Sequence, residues 1–166
     1  MQPSDYAPHT RRTPLATTEQ TMMKVQRLLT GPLGLHISLN AENIQVRFND
    51  SSTAINLSVK DWGVNKEGEP ETLVYLWAPV LREVRPSPEV FEWIAREGGT
   101  FWFGHVRAVD GPAGTGTVTL IMEHTLLGDF LDARELEAAL YGIIGSADRM
   151  DDELKERFGG KRWTDD

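Results

Sequence analysis

The chain has 166 residues, enough for one domain with short tails, and its 40% hydrophobic, 25% charged and 8% aromatic content allows a real core. It contains no cysteine, which excludes disulfides, thiolate-bound zinc, iron–sulfur ligation and thiol catalysis. A formal net charge of -8 opposes nonspecific binding to nucleic acid or anionic lipid, both of which need cations to meet phosphates.

No segment approaches the roughly 18 to 20 consecutive apolar residues that cross a bilayer, so no membrane insertion is expected. The opening stretch is polar and carries Pro3, Pro8 and Pro14, where a secretory signal needs an apolar run. Residues 1–16 are therefore expected to be a flexible lead-in to a cytoplasmic protein. Thr17-x-x-Gln20 has capping-box spacing, and Met22, Met23, Val25, Leu28 and Leu29 recur at helical intervals until Gly31-Pro32. The period then becomes two: Leu35, Ile37, Leu39; Ile44, Val46, Phe48; Ile55, Leu57, Val59. Polar residues between them predict antiparallel strands with one wet face, joined by short turns at 40–43 and 49–52. Thr72 to Val84 is apolar on both parities, which predicts a strand covered on both faces.

Ser87-Pro88-Glu89 opens a second helix, filled by Val90, Phe91, Trp93 and Ile94 and ended by Gly98-Gly99. Strands over Thr100–Val109 and Thr115–Glu123 flank a Gly-Pro-rich hairpin turn, and pairing Val109 with Thr115 sets their register. That register puts Trp102, Val106, Ala108, Val118, Leu120 and Met122 on the core face. It also puts His105 and His124 on opposite faces, roughly 17 Å apart, which excludes a shared metal. Asp132-x-x-Glu135 caps a last helix with an apolar stripe from Leu136 to Phe158, stopped by Gly159-Gly160; Gly142 and Gly145 weaken its middle. Asp148, Asp151, Asp152, Glu153 and Glu156 read as a solvated helix face, and residues 161–166 as a polar tail.

No catalytic motif is present. Gly111 to Gly116 is glycine-rich but leads into a strand and lacks the lysine of a phosphate loop, so it reads as a turn. No serine stands in a nucleophile elbow or at recognisable spacing from a histidine and an acid, and no catalytic residue, metal or cofactor is expected. The same register places Phe101, Phe103 and Ile121 among polar residues on the outer sheet face, beside Tyr75 or Trp77 of the two-sided strand. These five residues form the candidate protein-binding or dimer surface. Cover by the terminal helix or tail is the alternative, followed by a small-ligand pocket.

Ala78-Pro79-Val80-Leu81-Arg82-Glu83-Val84, followed by Ser87-Pro88-Glu89 and an aromatic helix, resembles the middle of YbjN-like proteins. Leu126-Leu127-Gly128-Asp129-Phe130-Leu131-Asp132, with Ala147 to Leu154 and Arg157 to Gly160, resembles the C-terminal part of actinobacterial members of that superfamily, whose fold is that of type III secretion chaperones. The resemblance covers roughly residues 17–160 and implies an acidic α+β domain that often dimerises and binds protein segments without catalysis. The expected fold is an antiparallel sheet of five or six strands, in the order α-β-β-β-α-β-β-α, with helices mainly on one face. A single domain over 17–160 is expected to act as a non-enzymatic chaperone-like or regulatory module, its partner a protein client or a second copy. The competing reading is a small-molecule-binding or enzymatic domain with a pocket between the sheet and the last helix. A deep pocket with convergent polar groups would favour that alternative, and a flat apolar patch the chaperone reading.

Overall fold

The computed structural model describes residues 17–40 and 43–165. The expected flexible lead-in, Ala41 and Glu42 of the first turn, and the terminal Asp166 lie outside the described residues. Helix α1 (Thr18–Thr30) starts at the Thr17 capping box, where Thr17 Oγ1 accepts from the Gln20 amide and the Gln20 side chain accepts from the Thr17 amide. It ends before Pro32, and its apolar stripe buries Val25 and Leu29 completely. Each such side chain contributes about 1.5 to 3 kcal/mol.

Six strands follow the alternating pattern: β1 (Ile37–Leu39), β2 (Ile44–Arg47), β3 (Ala54–Val64), β4 (Pro70–Val84), β5 (His105–Asp110) and β6 (Val118–Leu127). They form one antiparallel sheet in the order β1-β2-β3-β4-β6-β5. Helix α2 (Pro88–Arg96), capped by Ser87 with Pro88 in its first turn, sits between β4 and β5 in sequence. Helix α3 (Ala133–Phe158), capped by Asp132, runs across β4 with flanking contacts to β3 and β6, while α1 lies on β3. The architecture is α+β, with four strands before α2 where the expected order α-β-β-β-α-β-β-α has three, because the short first strand is present.

The period-two pattern sorts the sheet into two faces. Ile44, Leu57, Leu76, Met122 and Val106 point to the helix side and are buried together with Leu140 and Ile143 of α3. The opposite face carries Gln45, Asn56, Ser58, Tyr75, Trp77, Arg107, Ile121 and Glu123, as the pairings Gln45↔Asn56, Asn56↔Trp77, Trp77↔Glu123 and Arg107↔Ile121 require. The two-sided burial expected of β4 is therefore uneven: Val74, Leu76 and Ala78 are fully buried on the helix side, whereas Leu73, Tyr75 and Trp77 are half-buried on the other.

The β5–β6 hairpin differs from expectation by four positions. Val109 pairs with Thr119, not Thr115, because the connection closes between the Gly111 amide and the Thr117 carbonyl (2.8 Å) and takes Thr115 into the loop. Thr115 Oγ1 bonds the Pro112 carbonyl and Thr117 Oγ1 instead of joining a strand. The shift is even, so the facing of Val106, Ala108, Leu120 and Met122 is preserved. It brings His105 opposite Glu123, the neighbour of His124, so the two histidines are close along the ladder and not 17 Å apart; they still point to opposite faces.

The first part of that expected strand is not a strand. Gly104 has φ +79, and a Cβ there would lie 2.5 Å from the Glu123 carbonyl oxygen. The chain turns at Gly104, and residues 101–103 leave the ladder. Trp102, expected in the core, is 99% exposed. Phe101 and Phe103, expected on the outer face, are half-buried against the core on the helix side. Alternation was the wrong ruler here because it holds only while backbone pairing continues.

Residues 161–165 close over the far end of β4. Arg82 and Lys161 exchange both backbone hydrogen bonds, and the Arg82 guanidinium bonds the carbonyls of Arg162 and Asp165 beside the Trp163 ring. Lys155 and Arg162 hold the Asp165 carboxyl far below the usual carboxylate range.

Candidate functional site

Two surfaces carry the residues singled out in the sequence. Tyr75, Trp77 and Ile121 remain on the outer sheet face. There the organising group is Glu123, which the sequence reading did not single out. Its carboxylate accepts from the Tyr75 hydroxyl and from Arg107 Nε (2.6 Å), with His105 Nε2 3.0 Å away, while Lys60 Nζ stands 4.2 Å from the Tyr75 ring centre. Burial pushes the Glu123 carboxyl up, but the hydrogen bonds from Tyr75 and Arg107 and the Arg107 charge outweigh it and hold the carboxyl below its ordinary value. Burial and the bond to Glu123 push the Tyr75 phenol up. A carboxylate held ionised by these two donors is a poor proton donor, so this cluster ties strands together and does not resemble an acid–base centre. Ile121 is only 5% exposed in the single chain, while Tyr75 and Trp77 are half-buried.

Phe101 and Phe103 belong to the second surface, an open groove of about 600 Å³ between the 100–104 segment and the middle of α3. One wall is Phe101, Trp102 and Phe103. The other is α3, which contributes Tyr141, Gly142, Gly145, Ser146 and Arg149. Both ends of the aromatic wall are fixed. At its start, the Thr100 amide and hydroxyl bond the Glu97 carbonyl (3.1 and 2.8 Å), and at its end stands the Gly104 turn.

Two glycines of α3 have different reasons to be there. At Gly142 a Cβ would meet three Phe103 side-chain carbons at 2.5 to 2.8 Å, so the ring lies directly on the helix backbone. His124 meets the same ring edge-on at 5.8 Å, and burial followed by the nearby His105 charge pushes its imidazole pKa down, keeping it neutral. At Gly145, by contrast, a Cβ would meet nothing within 4 Å. A mid-helix glycine costs about 0.5 to 1 kcal/mol relative to alanine. None of the described residues requires this one, and its missing side chain deepens the groove floor. Tyr141 is 55% exposed and is held by Phe48, whose ring lies 5.5 Å away.

The acids of α3 do not form one solvated face. Asp148 accepts from Ser51 Oγ, Ser52 N and Ser52 Oγ at 2.9, 3.0 and 2.7 Å, and Asp151, only 4% exposed, lies 2.5 Å from Ser52 Oγ. These two carboxylates fasten the β2–β3 turn to the helix. Two cations of α3 pair outside the helix: Lys155 with Asp165, and Arg157 with Glu89 and Glu97. Arg149 has no ion pair among the described residues. Among the described residues no three His, Asp or Glu side chains converge as a metal site, and no helix is long and apolar enough to cross a membrane.

The sequence therefore named five residues that the structure divides three to two. Trp102, Tyr141 and Gly145 were missed as groove residues. The available signal was Gly104, since a lone glycine in a strand pattern marks a bulge or break.

No curated protein matches the chain. Among solved structures, YbjN from E. coli is similar in fold, with a TM-score of 0.54 at 10% identity, covering 82% of this chain and 92% of that one. A family model, TY-Chap1, matches residues 22–166, which takes in most of α1, all six strands, α2 and α3. The chain thus belongs to the family of T3SS (YopN, CesT) and YbjN peptide-binding chaperones.

Proposed function

We propose that the protein is a non-enzymatic, chaperone-like module that seats a segment of a partner protein in the groove between residues 100–104 and α3. The observation that carries this reading is Trp102. A tryptophan 99% exposed on a segment pinned at both ends forms one wall of an open groove with aromatic side chains on both sides, which is the arrangement expected of an anchor site waiting for a partner side chain. Family membership supports a peptide as occupant. This reading sets the groove ahead of the outer sheet face, where the Tyr75 hydroxyl already donates to Glu123.

The test is selection of random dodecapeptides on the wild-type protein and on Gly145→Trp. The new indole would occupy the groove floor without meeting chain atoms close to the backbone. Peptides enriched on the wild type and lost on a folded Gly145→Trp protein are expected. Equal enrichment on both proteins would place binding elsewhere and overturn the groove.

A further inference from the structure

The groove's lining has one charged residue, Arg149, and that charge has no ion pair among the described residues. On a chain of net charge -8, an arginine that is the one charged residue lining an aromatic-walled groove supplies local positive charge there, while Lys155, Arg157 and Arg162 of the same helix and its tail are matched to carboxylates. Tyr141, Gly145 and Arg149 are spaced four apart, so they rise along one stripe of α3 in steps of about 6 Å. An extended peptide advances about 3.4 Å per residue. A side chain resting over Gly145 therefore places the residue about two positions away beside Arg149.

We infer, building on the groove reading above, that the preferred occupant is an acidic-apolar segment of a partner protein. An aliphatic or aromatic side chain enters between Trp102 and Tyr141 over Gly145, and an Asp or Glu one to three residues away pairs with Arg149. The arginine fork suits a carboxylate, and the aromatic walls give the anchor contact area at small entropic cost. A side-chain carboxylate fits better than a chain terminus, because the polar groups lining the groove besides Arg149 are mainly hydroxyls, and capture of a terminal carboxylate uses a nest of backbone amides. The inference runs against the whole-molecule charge, which by itself would favour a basic client. A local guanidinium in direct contact outweighs exposed charges beyond a Debye length of about 8 Å.

The experiment sequences the peptides selected from a random dodecapeptide library on wild-type protein, Arg149→Glu and Gly145→Trp, each first shown to be folded by its melting curve. On the wild type, Asp and Glu should be enriched within three positions of a large apolar residue. On Arg149→Glu the preference should switch to Lys and Arg, and the best acidic peptide should bind the variant roughly fivefold or more weakly. Peptides enriched on wild type and lost on Gly145→Trp, yet showing no acidic preference or the same preference on Arg149→Glu, would overturn the acidic rule and leave the groove standing. Selection indifferent to Gly145→Trp would overturn both.

Discussion

Trp102 and Phe103 are adjacent in sequence and differ in what they do for the fold. Phe103 lies between Gly142 and His124 and packs against the core, while Trp102 has 99% of its surface in water. Phe103→Ala is expected to cost about 2 to 4 kcal/mol and Trp102→Ala less than about 0.5 kcal/mol, as read by denaturant midpoints. The reverse order would show that residues 101–103 continue β5. The glycines of α3 give a second contrast. Gly145→Ala should stabilise by about 0.5 to 1 kcal/mol, since the methyl enters open space, whereas Gly142→Ala should destabilise by about 1 to 3 kcal/mol against the Phe103 ring. If both substitutions shift the melting temperature in the same direction, the ring does not lie on the helix. Asp151 offers a pH test. Burial pushes its carboxyl up, so its charged form weakens the folded state at pH values above its raised pKa, and this penalty fades as pH falls towards the ordinary carboxylate range. One Ser52 proton cannot serve both Asp148 and Asp151, so an amide at 151, able to donate, is the better neutral-pH partner. Asp151→Asn should equal or exceed the wild type in stability at pH 7, with the gap narrowing towards pH 4.

At the scale of elements, the β2–β3 turn and α3 are fastened by Ser51 and Ser52 on Asp148 and Asp151, nearly a hundred residues away in sequence. Ser52→Ala leaves two buried or half-buried carboxylates without that hydroxyl and should cost about 1 to 2 kcal/mol. Hydrogen exchange should then rise in β2 and the β2–β3 turn before it rises in β4, and uniform loss across the sheet would argue against a local fastening. The helix ends needed no tertiary information. Thr17, Ser87 and Asp132 each cap the helix they were expected to cap, because a capping side chain reaches an amide three residues on and depends on little else. Strand facing was equally legible wherever one face met the helices. The start of β5 was not, because Gly104 reverses the chain to clear the Glu123 carbonyl, an atom on another strand.

For the whole molecule, acid stability rests on groups from both faces of the sheet. Burial lowers the His124 pKa, so the folded state favours neutral imidazole, and stability falls as pH drops below its ordinary value of 6.5. Glu123 adds a second fall at lower pH: its depressed carboxyl stabilises the fold above its ordinary value of 4.5, and that contribution is lost as pH descends through the depressed value. Denaturant midpoints against pH should decline below 6.5 and more steeply below 4.5. His124→Gln should flatten the first limb and Glu123→Gln the second. A wild-type profile flat from pH 7 to 5 would show that His124 is not shielded from water.

Local physics written in the sequence determined the α+β class, the order of elements, the capped helices, the core face of the sheet and the absence of cysteine chemistry. Those features depend on periodicity, on contacts three or four residues long and on composition. Tertiary structure alone decided the groove. Phe103 meets Gly142, and Trp102 and Arg149 line one groove, only because Gly104 turns a short segment out of the ladder and α3 passes beside it. It likewise decided which acids of α3 are solvated and which fasten a distant turn. Charge and hydropathy are properties of residues, but whether they are spent inside the chain or left open for a partner depends on which elements meet, and packing settles that.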